Sequence, residues 1–143
     1  MIKGRFVRWA AAAVIGLATV VVLPATDALA ATPTCVRGTH YHNAKMPAAR
    51  DYSITCYSRQ GHTGDGVRYL QASLRYCNVY THSISVDGIF GTDTYNALRS
   101  AQRTVGISAD GVYGRQTAAS IWFLSDLGGC TNTSGAHRGY VTH

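Results

Sequence analysis

The stretch that decides the fold reads Asp87-Gly88-Ile89-Phe90-Gly91-Thr92-Asp93-Thr94, and a close copy of it follows in the same chain. The second copy reads Asp110-Gly111-Val112-Tyr113-Gly114-Arg115-Gln116-Thr117. Each copy consists of Asp-Gly, an aliphatic residue, an aromatic residue, Gly, two variable residues and Thr. An internal repeat is the first feature to seek in a sequence, because it defines the architecture before any single propensity is weighed. The chain is therefore predicted to contain two copies of one local structure.

Each copy is predicted to be a turn that begins a helix. Asp-Gly favours a tight turn, because Asp accepts hydrogen bonds from nearby backbone N–H groups and Gly adopts positive φ without a Cβ clash. Gly91 and Gly114 stand where the helices begin, and we expect them to be the N-cap residues. Thr94 and Thr117, third in their helices, are expected to reach back to the free N–H of the cap.

A first helix is predicted ahead of the two turns. It begins after Gly64, with Asp65 as the expected cap, and its apolar residues recur at helical spacing on one stripe. Arg68, Gln71 and Arg75 lie off that stripe. The stripe consists of Val67, Leu70, Leu74 and Cys77.

The second and third helices follow the two turns. They are predicted over residues 92–105 and 115–124, where apolar residues again recur on one face. Phe90 and Tyr113, the aromatic residues of the two copies, are expected to fill the core. These elements predict an all-α fold, a small three-helix bundle with two repeated turn-helix units. Such a core is marginal on its own, so disulfides are expected to staple it.

The first thirty residues are predicted to be a signal peptide. Cations occur among the first eight residues, residues 9–23 carry no charge, and Ala28-Leu29-Ala30 has the small side chains of a cleavage site. A transmembrane anchor is the alternative, but the uncharged run is shorter than a spanning helix needs. We therefore expect an exported chain that begins near Ala31 and keeps no membrane anchor.

The remaining residues are predicted to form one small domain with two extensions. Residues 31–57 show no clear period and are expected to be an irregular N-terminal arm, with one short strand near residues 53–57. The folded domain is predicted over residues 58–130. Residues 131–143 are polar and are expected to be a flexible tail.

The net charge of +6 indicates an acidic partner. A nucleic acid would fit this charge, but the predicted export argues against one. A cell-wall polymer or another anionic surface fits an exported protein, and no nucleic-acid partner is expected.

The four cysteines, Cys35, Cys56, Cys77 and Cys130, are predicted to form two disulfides, as is usual in an exported chain. A Cys56–Cys130 bond would join the two ends of the bundle, because domain termini often lie close together. Cys35 would then pair with Cys77 and pin the arm along the bundle. The alternative is Cys35–Cys56 with Cys77–Cys130. Both patterns stay open, and we prefer the first.

These residues resemble a known family, the bacterial peptidoglycan-binding domain of the three-helix type that is attached to many cell-wall hydrolases. The resemblance covers about residues 58–124 and rests on Gly64-x-x-Val67-x-x-Leu70-Gln71-x-x-Leu74 together with the two turns. It implies a three-helix domain that binds peptidoglycan. The sequence departs from the family's pattern at Thr92 and Arg115, where Pro is common, and at Ala101, where an aromatic residue is usual.

The sequence offers no arrangement of residues that is typical of catalysis. Glycan hydrolysis uses a pair of carboxyl groups, but the chain contains no Glu, and Asp87 and Asp110 are assigned to turns. The histidines are scattered, and His40 and His42 lack a third metal ligand at suitable spacing. The cysteines are expected to be paired, so none is left as a nucleophile. We predict that the protein is not an enzyme and uses no metal or cofactor.

The binding surface is predicted near the repeat turns, where aromatic faces and hydrogen-bond donors would meet the glycan strand or the stem peptide. The candidate ligand-binding residues are Tyr69, Gln71, Tyr95, Tyr113 and Arg115. Three of them have a structural alternative. Arg115 would be a solvated surface cation, Tyr113 a core residue and Gln71 a cap for the turn backbone.

The predicted function is non-catalytic binding of peptidoglycan by a protein that is secreted or associated with the cell wall. A cell-wall hydrolase is left open as a partner. The alternative is a secreted, disulfide-stapled effector or inhibitor that uses the same fold to bind a protein.

Overall fold

The computed structural model describes residues 31–78 and 84–141. The helices are α1 (Asp65–Cys77), α2 (Thr92–Thr104) and α3 (Arg115–Ser120). The strands are β1 (Arg37–Tyr41), β2 (Ala44–Ala48), β3 (Phe123–Leu124), β4 (Cys130–Thr131) and β5 (His137–Arg138). The predicted signal peptide lies outside the described residues. Within the two described ranges, no helix has the length and apolar character of a membrane span.

The prediction of an all-α three-helix bundle is wrong, because two antiparallel sheets accompany the three helices. One sheet is the β1–β2 hairpin, and the other has the order β3-β4-β5. The fold is therefore mixed α/β. Both sheets pack against α1, which lies at the centre of the fold.

The β1–β2 hairpin lies in residues 31–57, the segment that was predicted to be irregular. Its two-residue loop is His42-Asn43, and both residues have positive φ, 48° and 63°. This is the geometry of the tight turn whose twist matches that of paired strands. The strand predicted near residues 53–57 is reduced to isolated bridges at Tyr57 and Ser58. The hairpin gives a weak sequence signal, because its buried strand reads Ala-Lys-Met-Pro-Ala and has no β-branched or aromatic residue.

Helix α3 is shorter than predicted. It ends at Ser120, and the chain turns into β3 instead of continuing as a helix to Leu124. The Asn78 side chain explains the break, since its amide donates to the Trp122 carbonyl (3.0 Å) and to the Ser73 carbonyl (2.9 Å). The Trp122 carbonyl is thus held by the end of α1. A contact this distant in sequence overrides the local helical preference.

The segment predicted to be a flexible tail contains structure. Strand β4 pairs with both β3 and β5, and it includes Thr131, the first residue of that segment. Arg138 of β5 donates a hydrogen bond to the Cys77 carbonyl and lies 4.2 Å from the centre of the Trp122 ring. Burial lowers the pKa of this arginine. These contacts hold residues 130–138 against the end of α1.

The two disulfides are Cys35–Cys56 and Cys77–Cys130, so the preferred pairing was wrong and its alternative is correct. Cys35 and Cys56 meet because the flanking chains pair, with the Cys35 N–H donating to the Tyr57 carbonyl (2.8 Å). Cys77 meets Cys130 because the second sheet folds back onto the end of α1. The pairing therefore follows from the two sheets that were not predicted.

One hydrophobic core joins the helices to both sheets. The predicted stripe of α1 is confirmed, because all four of its residues are fully buried. The predicted inward position of Phe90 and Tyr113 is confirmed as well, with 1% and 0% of their surface exposed. Met46 of β2 and Phe123 of β3 belong to the same cluster. Residues 31–57 thus contribute to the core that supports the two repeat turns.

Candidate functional site

The first repeat turn is held by the side chain of Gln71 on α1. Its Nε2 donates to the Asp87 carboxylate (2.9 Å), the Ile89 carbonyl (3.0 Å) and Thr94 Oγ1 (3.0 Å). Its Oε1 accepts from the Gly88 N–H (2.8 Å). The Asp87 carboxylate also accepts from the Ile89 N–H (2.8 Å). One buried amide therefore contacts four groups of the turn, with its two N–H bonds shared among three acceptors.

The second repeat turn is held in the same way by Gln102 on α2. Its Nε2 donates to the Asp110 carboxylate (2.8 Å), the Val112 carbonyl (3.0 Å) and Thr117 Oγ1 (3.0 Å). Its Oε1 accepts from the Gly111 N–H (2.9 Å). The repeated unit thus includes a glutamine from the preceding helix, at a different spacing from each turn.

An arginine three residues before each glutamine makes a further hydrogen bond between the helix and the turn. Arg68 donates to the Val86 carbonyl (3.4 Å), and Arg99 donates to the Ala109 carbonyl (2.9 Å). These carbonyls belong to the residues just before the two turn aspartates. Each turn is therefore fastened to the preceding helix on both sides of its aspartate.

For the helices that follow the two repeat turns, the predicted N-cap residues are confirmed, but the predicted bonds from the threonines to the caps are not formed. Gly91 and Gly114 are the N-cap residues, as predicted, but no side chain caps either helix. Thr94 and Thr117 accept from the glutamine amides instead of reaching back to the caps. The cap of α1 is Gly64, so the assignment of Asp65 as its cap was wrong.

Two of the predicted ligand-binding residues are structural. Gln71 exposes only 1% of its surface, and its amide is used by the turn. Tyr113 is fully buried, and burial raises the pKa of its hydroxyl. Neither side chain is accessible to a ligand in this conformation. Gln71 holds the turn backbone and Tyr113 lies in the core, as their structural alternatives proposed.

The other three candidates lie on different surfaces. Tyr69 covers Gly38 of β1, where a Cβ would lie 2.4 Å from the tyrosine ring, and its hydroxyl is 3.4 Å from a nitrogen of His40. Tyr95 covers the second turn in the same sense, since a Cβ on Gly111 would lie 2.1 Å from its ring. Arg115 is exposed at the start of α3. The structure therefore does not bring the predicted ligand-binding residues together.

An open recess of about 150 Å³ lies beside the first repeat turn. Ser85, Asp87, Thr92 and Asp93 are among the residues that line it. The pKa of Asp87 is lowered by the hydrogen bonds from the Ile89 N–H and from the glutamine amide. The recess thus combines hydroxyls with carboxylates, which is a surface suited to hydrogen-bonding a polar ligand. Sequence reasoning missed Ser85, Thr92 and Asp93, since two of them occupy the variable positions of the repeat.

Residues 63–121 match the family described as the putative peptidoglycan binding domain. These residues form a peptidoglycan-binding domain of that family. This match confirms the resemblance that the two turns and the first helix indicate. The two glutamine-fastened turns both lie within the peptidoglycan-binding domain, whereas the β1–β2 hairpin and the second sheet lie outside it.

Relatives of the peptidoglycan-binding domain occur in larger proteins. An N-acetylmuramoyl-L-alanine amidase of Mycobacterium tuberculosis is 50% identical over 62 residues, which are 43% of this chain and 15% of that protein. A spore cortex-lytic enzyme of Oceanobacillus iheyensis is 40% identical over 79 residues, which are 55% of this chain and 26% of that protein. The chain thus spans about a quarter or less of these relatives.

Among solved structures, the SleB N-terminal domain is 36% identical to this chain with a TM-score of 0.41. The match covers 44% of this chain and 84% of that one. A peptidoglycan-binding protein from Clostridioides difficile is 37% identical with a TM-score of 0.41, over 46% of this chain and 39% of that one.

No group of three or more metal-binding side chains occurs among residues 31–78 and 84–141. His40, one of the two histidines considered as metal ligands, contacts the carboxylate of Asp126 instead. Lys45 also lies 3.6 Å from that carboxylate. This cluster ties the hairpin to the loop between β3 and β4.

Proposed function

We propose that this protein is an exported, non-catalytic module that binds bacterial cell-wall peptidoglycan at the recess beside the first repeat turn. The observation that carries the proposal is the peptidoglycan-binding domain at residues 63–121. Both of its turns are held by buried amides, so the groups around them are presented on a rigid frame. Because these groups are already held in place, the protein loses less conformational entropy when a ligand binds.

The chemistry of the recess suits the amides and hydroxyls of peptidoglycan. The lone pairs of Asp87 are already engaged by the turn. Asp93 has no such partner among the described residues and is exposed, so its carboxylate is free to accept hydrogen bonds from a ligand. Ile89, at the edge of the recess, exposes 57% of its surface and offers an apolar contact. A sugar or peptide segment would find acceptors and an apolar edge together.

A binding role is favoured over a hydrolytic one by the way the reactive side chains are used. All four cysteines are in disulfides, so no thiol remains as a nucleophile. Asp87 is engaged in its turn, and Asp126 contacts His40 and Lys45. The chain has no glutamate. Hydrolysis of cell-wall polymers by a related protein would on this proposal be the work of another domain or another chain.

The recess is tested by substituting Asp93, with Gln116 at the same position of the second copy as the matched control. Asp93→Ala should weaken co-sedimentation with purified peptidoglycan sacculi by about tenfold, the scale of one hydrogen bond to a charged group. Gln116→Ala should leave it unchanged. Equal effects of the two variants would remove the recess from the proposal. Loss of all binding at moderate salt would indicate charge adsorption by the basic chain instead.

Export is tested separately. The protein recovered from the medium or the wall of the producing cells should have an N-terminus near Ala31. An intact N-terminus would contradict the predicted cleavage.

A further inference from the structure

A second groove lies where the β1–β2 hairpin meets α3, and we propose that it binds a carboxylate-bearing, N-acetylated saccharide. Its volume is about 350 Å³, within the range of small-molecule sites. One wall, from α3, belongs to the peptidoglycan-binding domain, and the other walls lie outside it. The residues that line it include Tyr41, Ile54, Thr55, Arg115, Ala118 and Thr133.

The walls of this groove are fixed relative to one another. The hairpin tip is bound to the opposite loop, because the Asp126 N–H donates to the Asn43 carbonyl (2.9 Å). The wall at residues 54–55 is adjacent to Cys56, which is held by its disulfide. Ser58 and Tyr113 exchange two backbone hydrogen bonds of 2.8 Å, which fix the chain just before α3. The groove is therefore a built feature of the fold and needs no closure to form.

The groove carries one free cation. The Arg115 side chain is exposed and makes no hydrogen bond or ion pair with any residue in the described ranges. A cation in the first turn of a helix opposes the helix dipole, so α3 gains nothing from it. A guanidinium in such a position is suited to pair with a carboxylate in two parallel hydrogen bonds.

The rest of the groove suits a sugar. The Tyr41 ring is held by stacking on His42, with 4.3 Å between ring centres, and 38% of the tyrosine surface is exposed. An aromatic ring with a polar tip can pack against the apolar face of a sugar while its hydroxyl stays hydrated. Ile54 and Ala118 offer an apolar wall for an acetyl methyl group, and the hydroxyl of Thr55 offers a partner for a sugar hydroxyl.

These contacts select for a ligand that carries both features. An uncharged N-acetylated sugar would leave Arg115 without a partner, and a simple carboxylate would leave the Tyr41 ring uncovered. The choice of ligand class rests on the proposed wall-binding function, whereas the groove is distinct from the recess at the first turn.

The test uses two soluble sugars that differ in one carboxylate-bearing group, N-acetylmuramic acid and N-acetylglucosamine. Binding of each to the full-length chain is measured by titration calorimetry or by NMR shifts. We expect N-acetylmuramic acid to bind at least about tenfold more tightly, and Arg115→Gln to remove that preference, since an ion-paired hydrogen bond has this weight. Tyr41→Ala should weaken the binding of both sugars. Arg103→Gln, an exposed arginine of α2, is the matched control and should change neither.

Equal affinity for the two sugars, or a preference that survives Arg115→Gln, would overturn the inference. Arg115 is exposed, so this variant is expected to fold, and circular dichroism checks it. Sacculus binding separates the two proposals. If sacculi bind through Asp93 while Arg115→Gln changes neither sugar nor sacculus binding, the groove fails and the wall-binding function stands. If the sugar preference depends on Arg115 but sacculi do not bind, the groove stands and the function fails.

Discussion

The two repeat turns have the same interior and different surfaces. Gln71 and Gln102 make matching bonds within 0.1 Å of each other in length. Yet α2 begins with Thr92-Asp93, and both residues line the recess. Helix α3 begins with Arg115-Gln116, of which Arg115 lines the second groove. An aspartate in the first turn of a helix interacts favourably with the helix dipole, whereas an arginine there interacts unfavourably. The variable positions of the repeat thus set the chemistry of each turn while the fixed positions set its shape.

The connections to the two turns also differ in length. Gln71 lies 16 residues before Asp87, whereas Gln102 lies 8 residues before Asp110. The longer connection includes residues 79–83, which lie outside the described ranges. The contacts are nevertheless the same at both turns. The glutamine side chain, and not the length of the connection, therefore determines the turn.

The largest effect is expected from removing an aromatic side chain of either copy. Phe90→Ala should lower the free energy of unfolding by about 3–5 kcal/mol, because the ring is buried in the shared core. Tyr113→Ala should cost a similar amount. Urea unfolding of both variants provides the measurement. If Phe90→Ala left the free energy of unfolding unchanged, the first copy would not be anchored in the core.

Removing a glutamine amide is expected to have the next largest effect. Gln71→Met and Gln102→Met keep most of the volume but leave a buried glycine N–H and a turn carbonyl without their partner, so each should cost about 2–3 kcal/mol. Urea unfolding should give similar values for the two variants. A large cost at one copy and none at the other would break the equivalence of the two turns.

A smaller, favourable effect is expected from Tyr113→Phe, which makes the second copy like the first. The buried Tyr113 hydroxyl has no hydrogen-bond partner in the described part of the chain. Removing an unpaired buried hydroxyl should raise the free energy of unfolding by about 1 kcal/mol. A loss of stability would show that the hydroxyl has a partner, such as a buried water.

The smallest effect is expected on stability at acid pH, through protonation of Asp87, because this side chain is exposed. Its pKa is lowered in the folded state, first by the Ile89 N–H and then by the glutamine amide. The stabilisation is therefore complete above the ordinary aspartate pKa and is lost as the pH falls through the lowered folded-state value. Asp87→Asn keeps an acceptor oxygen and should flatten this part of the dependence of stability on pH. Parallel pH profiles of the variant and the wild type would contradict the assignment.

The sequence predicted the parts of the fold that local patterns control. The stripe of α1, the extent of α2, both N-cap glycines and the buried Phe90 follow from spacing that is visible in the chain. The hairpin was missed because a turn of His42-Asn43 and a strand without β-branched or aromatic residues give little signal in the sequence. The end of α3 was missed because Asn78, distant in sequence, binds the Trp122 carbonyl.

The candidate site was harder to predict than the fold. Gln71 was singled out correctly as a polar residue beside an apolar stripe, but a sequence cannot distinguish a buried amide that holds a turn from one that holds a ligand. Arg115 was singled out because it opposes the helix dipole, and it does line a groove. The opposite wall includes Tyr41 of the hairpin and Ile54, which follows the hairpin, and neither was singled out from the sequence.

Peptidoglycan binding and the absence of cleavage, both of which we propose for this protein, can be tested in one experiment. Purified protein is incubated with sacculi, the pellet is assayed for protein, and the turbidity of the suspension is followed. We expect that protein sediments with the sacculi and that the turbidity stays constant. Part of the binding should weaken with salt, because the chain is basic. Clearing of the suspension, or protein that stays in the supernatant at low salt, would contradict the proposal.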